Sequence, residues 1–207
     1  MGTANIRAHF PVLTILESSN TARNHVEQMN NLDLRFVESV VSNTPAVIAG
    51  ITRELPEDVL NLNEGPGTWS CFDVVGHLIH GERTDWIPRT KQILAGNKRF
   101  VPFEREAMFA NSVGKHFDEL MTEFEQLRRE NVDTLKNLRL TDARLNLTGI
   151  HPEFGEVTLR QHLATWATHD LGHIAQICRV LAKQLKQEIG PWQAYLSIVH
   201  WQGSARG

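Results

Sequence analysis

Residues 158–185 read TLRQHLATWATHDLGHIAQICRVLAKQL. At about 100° per residue, Leu159, Leu163, Trp166, Ala167, Ile174, Ile177 and Leu181 share a sector roughly 100° wide, the apolar stripe of one long amphipathic helix. Thr158 stands three residues before Gln161, a capping-box spacing that starts such a helix, and Gly190-Pro191 stops the chain beyond Leu185. Three further segments carry the same period. One runs from about Asp33 to Leu55, with Leu34, Val37, Val41, Ile48 and Ile51 on its stripe and Pro45 expected to kink it or restart it behind Thr44. The next follows Gly65-Pro66-Gly67, with Ser70 as N-cap and Asp73 near the positive end of the helix dipole, and reaches about Leu94 before Gly96. The third spans about Ser112 to Leu138, with Phe117, Leu120, Met121, Phe124, Leu127 and Leu135 among many charges. No stretch alternates with period two. The fold predicted is all-α, a four-helix bundle. Its connecting loops, roughly 15 to 20 residues, are too long for every consecutive pair to be antiparallel neighbours.

Composition narrows the function. The chain of 207 residues carries 21 Lys and Arg against 24 Asp and Glu, a net charge of −3, so nothing draws it to phosphate backbones or anionic lipid. No apolar run approaches the roughly 18 residues of a membrane span. Cys71 and Cys178 form neither a disulfide framework nor a C-x-x-C motif, which fits a reducing, cytoplasmic setting. The expected partner is a small-molecule substrate, with no nucleic acid and no membrane, and a homodimer is the assembly considered. Residues 1–28 show no sustained period and precede a second methionine, Met29. They are read as a dispensable extension of a domain covering 29–207, although the apolar run Phe10 to Leu16 argues for docking.

Histidines lie beside the stripes. His169 and His173, at i and i+4, project from one face about 40° apart and flank the apolar stripe of the last helix. On the second helix His77 takes the same edge position, while His80 falls about 60° further from the stripe and faces water. His77, His169 and His173 can therefore converge on a divalent ion, with imidazole nitrogens about 2.0 to 2.1 Å from it. The same positions also suit histidines at a core edge, bonded to backbone carbonyls. Glu82 falls inside the apolar stripe, where a carboxylate must be paired; it either orients a histidine or pairs with an arginine.

A set of motifs in fixed order carries a family resemblance. Thr68-Trp69-Ser70-x-x-Asp73-Val74-x-Gly76-His77-Leu78-x-x-x-Glu82, His151-Pro152-x-x-Gly155-x-Val157-Thr158-Leu159, His169-Asp170-Leu171-x-His173-Ile174-x-Gln176-Ile177 and Gly190-Pro191-Trp192 resemble DinB-like proteins over about Asn31 to His200. The resemblance implies a four-helix bundle whose three-histidine metal site falls on His77, His169 and His173. It also implies a metal-dependent enzyme, with transfer of a low-molecular-weight thiol to an electrophile in detoxification or stress response as the leading chemistry. Metal-dependent hydrolysis and a non-catalytic, metal-stabilised binding module are the alternatives. Zinc is the default metal for neutral imidazoles, with nickel, iron and manganese open. The thiol would be a cosubstrate, because no Ser-His-Asp or Cys-His arrangement is evident and Cys178 stands about 180° from His169 on its helix.

Other features read as structural. Trp69 and Trp166 are expected as core anchors, with Trp166 able to line a pocket; Arg128-Arg129 reads as a solvated helix face. His151-Pro152 reads as a pocket rim or a turn, and Gly190 to Leu196 as a segment folding its aromatics back onto the bundle.

Overall fold

All four periodic segments are helical in the computed structural model, which describes residues 33–96, 99–102 and 112–202. The expectation for residues 1–28 lies outside the described residues. Helix α1 covers Leu34–Thr52, and the one-turn α2 Glu57–Leu60. The second periodic segment divides into α3 (Cys71–Thr84) and α4 (Trp86–Leu94). Helix α5 covers Phe117–Asn137, the one-turn α6 Asp142–Leu145, and α7 Leu159–Gln184. The two expected caps form. Ser70 and Asp73 make a reciprocal box at the start of α3, with backbone-to-side-chain distances of 2.9 and 3.2 Å; Thr158 and Gln161 repeat it on α7 at 2.8 and 3.1 Å. Each satisfies two of the backbone N–H groups that a helix start leaves without partners.

Helix α1 packs against α5 and α7, and α3 packs against the same two. The first two long helices therefore lie across the bundle from each other, which is why a long connection joins them. The core between the four is built from Ile48, Val74, Leu78, Ile79, Leu120, Phe124, Ile177 and Val180, all fully buried. Each large side chain removed from water contributes about 1.5 to 3 kcal/mol. Pro45 stands inside a continuous α1 rather than restarting it. Having no N–H, it leaves the Val41 carbonyl without its helical donor, and Arg128 from α5 supplies one at 2.6 Å.

The bundle carries one feature that the helical period did not show. Strands β1 (Thr148–His151) and β2 (Gly155–Thr158) pair antiparallel just before α7, with Thr148 opposite Thr158 and His151 opposite Gly155. Gly155 takes φ +72°, the left-handed conformation that closes the turn. Phe100 donates its N–H to the Ile150 carbonyl at 3.1 Å and seals the hairpin to the bundle. Gly149 makes room for it, since a Cβ there would stand 2.6 Å from the Phe100 ring and 3.0 Å from Ile93. Gly149→Ala is therefore expected to cost about 1 to 3 kcal/mol, read as a lower melting temperature than the unsubstituted chain.

The tail corrects an expectation. Gly190–Tyr195 and Ser197–Val199 are 3₁₀ turns, but Trp192 and Tyr195 are largely exposed, and Val199 is the residue that the tail buries. Among the described residues no helix is long and apolar enough to cross a membrane.

Candidate metal centre

Helices α3 and α7 bring His77, His169 and His173 together. Nε2 of His169 lies 2.9 Å from Nε2 of His77 and 3.0 Å from Nε2 of His173. Among the described residues these three form the group able to hold a metal ion. His77 and His173 are buried and His169 half-buried, each at the edge position that the helical period assigned. His80 lies one turn on and outside the cluster. The nitrogens suit a cation. Gln176 Oε1 accepts from Nδ1 of His173 at 2.8 Å, which fixes the proton there and leaves a lone pair on Nε2. Burial, with the charge of His169, pushes His173 down to about 3, so the ring is neutral as a ligand must be. Nitrogens about 3 Å apart are within the span of a divalent ion that holds each at about 2.0 to 2.1 Å.

Indoles wall the cluster. Trp69 stacks on His173 at 6.1 Å between centroids and tilts against His77 at 5.0 Å; Trp86 meets His169 edge-on at 5.1 Å. Trp69 thus packs both on the histidines and, half-buried, against the core, whereas Trp166 is the fully buried core anchor expected, stacked on Trp86 at 5.8 Å.

A cleft of about 340 Å³ opens onto His77 and His169. Asp85, Trp86 and Arg89 line it at the break between α3 and α4, Phe100 and Pro102 from the following loop, His151 to Phe154 from the hairpin, and Gln161, His162 and Thr165 from α7. The break has a use: with Asp85 at φ −108°, ψ −68°, the chain turns its carboxylate onto Arg89 at 2.9 Å instead of continuing α3. Burial raises Asp85 above the usual carboxylate range, with Arg89 and His169 offsetting it in part. His151 serves both suggested roles, since it lines the cleft while its Nδ1 accepts the turn N–H groups of Glu153 and Phe154 at 3.1 and 3.3 Å. Among the described residues no cysteine lines the cleft. Cys71 is buried and pushed up to about 12, chiefly by that burial, and Cys178 is half-buried.

His162, to which no role was assigned from sequence, is buried in the cleft wall and donates from Nε2 to the Trp86 carbonyl at 3.0 Å. Burial holds it down to about 4 against an ordinary value near 6.5. The unfolded chain then takes up a proton that the folded one refuses. The stability from this group is complete above about pH 6.5 and is lost as the pH falls towards about 4, roughly 3 kcal/mol over the window. Urea midpoints measured across that range should show an acid limb that becomes shallower in His162→Gln.

Arg128 corrects another expectation. It does not lie on a solvated face; it is buried, and reaches Glu82 on α3 at 2.8 Å and Asp170 on α7. Glu82 accordingly takes the arginine-pairing alternative, with Asn131 on its other oxygen at 2.9 Å. Phe124 and Trp166 present their ring faces to the guanidinium at 4.8 and 5.3 Å.

Three imidazoles at the inner end of a cleft define a histidine-centred four-helix bundle. A family model for the DinB superfamily matches residues 41–177, and the chain belongs to that superfamily. No curated protein matches the chain. Among solved structures it is similar to YfiT from Bacillus subtilis, described as a probable metal-dependent hydrolase with an unusual four-helix bundle topology. The two share 21% identity over 75% of this chain and 87% of that one, with a TM-score of 0.63, a likeness of fold.

Proposed function

We propose that His77, His169 and His173 ligate a divalent metal ion, zinc first among the candidates, and that the chain transfers a low-molecular-weight thiol to an electrophilic small molecule. One observation carries this reading: three Nε2 atoms converge at the end of a substrate-sized cleft that holds no cysteine. Among the described residues no thiol faces the cleft, so in this reading the sulfur nucleophile is supplied by a cosubstrate. Bound at the histidines, a divalent ion would lower the proton affinity of a thiol or a water and so supply it. The rest falls to the chain. Trp86, Phe100, Phe154 and Val157 give the cleft apolar walls that exclude water and seat an electrophile. The Asp85 carboxylate, held by Arg89, accepts the proton that the nucleophile gives up. A detoxification role in a reducing, cytoplasmic setting, where small thiols are abundant, follows from this chemistry.

Hydrolysis is the second reading. It is favoured by what YfiT is described as, and it uses the same ligands and the same proton acceptor with water in place of the thiol. The deciding experiment incubates the zinc-loaded chain with an aryl halide or an activated ester, with and without a panel of cellular thiols. Turnover that requires both metal and thiol supports transfer. Thiol-independent release of the ester's alcohol supports hydrolysis, and metal uptake with neither reaction leaves the chain a binding module.

A further inference from the structure

Behind the histidines a second polar cluster ties the bundle together. Arg128 holds both oxygens of Asp170, Oδ1 from Nη2 at 3.1 Å and Oδ2 from Nη1. The same two nitrogens reach the Val41 carbonyl at 2.6 Å and Glu82 Oε1 at 2.8 Å. One guanidinium on α5 is thus anchored on α1, α3 and α7, and it cannot change rotamer without breaking a bond to each. The carboxylate so held belongs to the residue after His169, and its Oδ1 lies 3.9 Å from Nδ1 of that ring.

His169 is the ring that this carboxylate is placed to support. It stands in the middle of the cluster, its Nε2 close to both other histidines, and it is the more exposed member. His173 has Gln176 to fix its outer nitrogen. Among the described residues, Nδ1 of His169 makes no hydrogen bond and faces Asp170. An imidazole that ligates through one nitrogen carries its proton on the other, and that N–H is commonly oriented by a carboxylate.

We propose that Arg128 is a positioning residue of the histidine centre: by fixing the Asp170 carboxylate beside Nδ1 of His169, it keeps that ring turned with Nε2 toward His77 and His173. This rests on the ligand assignment above and not on the reaction catalysed. Glu82 shares Nη2 of the arginine with Asp170 Oδ1 while Asn131 holds its other oxygen, and a glutamine at this position keeps the oxygen that Nη2 binds, so Arg128 and Asp170 stay in place.

The test is cobalt(II) affinity of the full chain, read from the visible spectrum in competition with a chelator. Asp170→Asn keeps the shape and removes the charge; Arg128→Lys keeps the charge and loses the planar fork. Each is expected to weaken cobalt binding by about 10- to 100-fold. Glu82→Gln is the control, expected to lower the melting temperature of the metal-free chain while leaving affinity within about twofold. Equal losses of affinity in all three variants would mean that the cluster acts only through the fold, and would overturn the proposal. So would unchanged affinity in Asp170→Asn. If Arg128→Lys does not fold, the comparison of Asp170→Asn with Glu82→Gln decides. An unsubstituted chain that takes up no cobalt overturns the ligand assignment, and the proposal with it, whereas the reaction assays leave both untouched.

Discussion

His169→Ala is expected to strip the purified chain of any metal held at the histidines, His77→Ala and His173→Ala to do nearly as much, and His80→Ala to leave it in place. The order follows from geometry. Nε2 of His169 lies within 3.0 Å of both other nitrogens, so its loss leaves the remaining two without the ligand that links them. A site of three neutral imidazoles that loses one retains too little binding free energy to survive purification, and metal per chain should fall from near one to below about a tenth. His80 lies outside the cluster, and its substitution removes no ligand. The measurement is elemental analysis after purification without chelator, with far-UV circular dichroism to confirm the helices. A metal held by the folded chain would stabilise it, so loss of the site should also lower the melting temperature measured with metal present, by an amount that grows with free metal concentration. Loss of metal in His80→Ala instead would show that α3 presents its other face to α7.

How far the sequence foretold this centre depends on how local each signal was. His77, His169 and His173 were legible because the helical period alone places them at the edges of two apolar stripes, and Ser70 and Thr158 were legible because a cap is decided within four residues. The hairpin was not, since strands as short as Thr148–His151 and Gly155–Thr158 hold too few residues to display a period of two. Nor was the break at Asp85, where α3 and α4 form one uninterrupted apolar pattern and only the bond from Arg89 marks the turn. Gly190 to Leu196 misled because aromatics were assumed to fold inward, whereas Trp192 and Tyr195 stay exposed.

Arg128 is the instructive failure. Read beside Arg129 and the acids around it, it looked like part of a wet helix face, yet it stands about midway along the stripe of Phe117, Met121, Phe124 and Leu135. Asp170 stands about 100° from His169, in the middle of the α7 stripe, and Glu82 lies inside that of α3. Three charges, one on each of three apolar stripes, can be buried only together. No single helix reveals this, because the neutralising partners come from different segments, and the wheel positions become informative once all three are compared.

Arg128→Met is therefore expected to be the most destabilising single change in the bundle. Burial already pushes Glu82 above the usual carboxylate range despite Arg128 and Asn131, while Asp170 stays below its usual value because Arg128, His169 and Thr44 together outweigh the burial. Removing the guanidinium leaves two carboxylates in the core with no counter-charge and returns the Val41 carbonyl to the bare state that Pro45 created. Breaking a buried ion pair from one side costs about 3 to 5 kcal/mol, a large share of the roughly 5 to 15 kcal/mol that holds a domain folded. For a chain of this size that is a fall in melting temperature on the order of 10 °C or more. The cost should come from the stranded charges and not from lost volume, so Arg128→Met combined with Glu82→Gln and Asp170→Asn should recover most of it. Equilibrium urea unfolding of the single and triple variants, both metal-free, separates the two causes. A triple variant no more stable than Arg128→Met would place the loss in packing against Phe124 and Trp166 and in the bond to Val41, not in the charges.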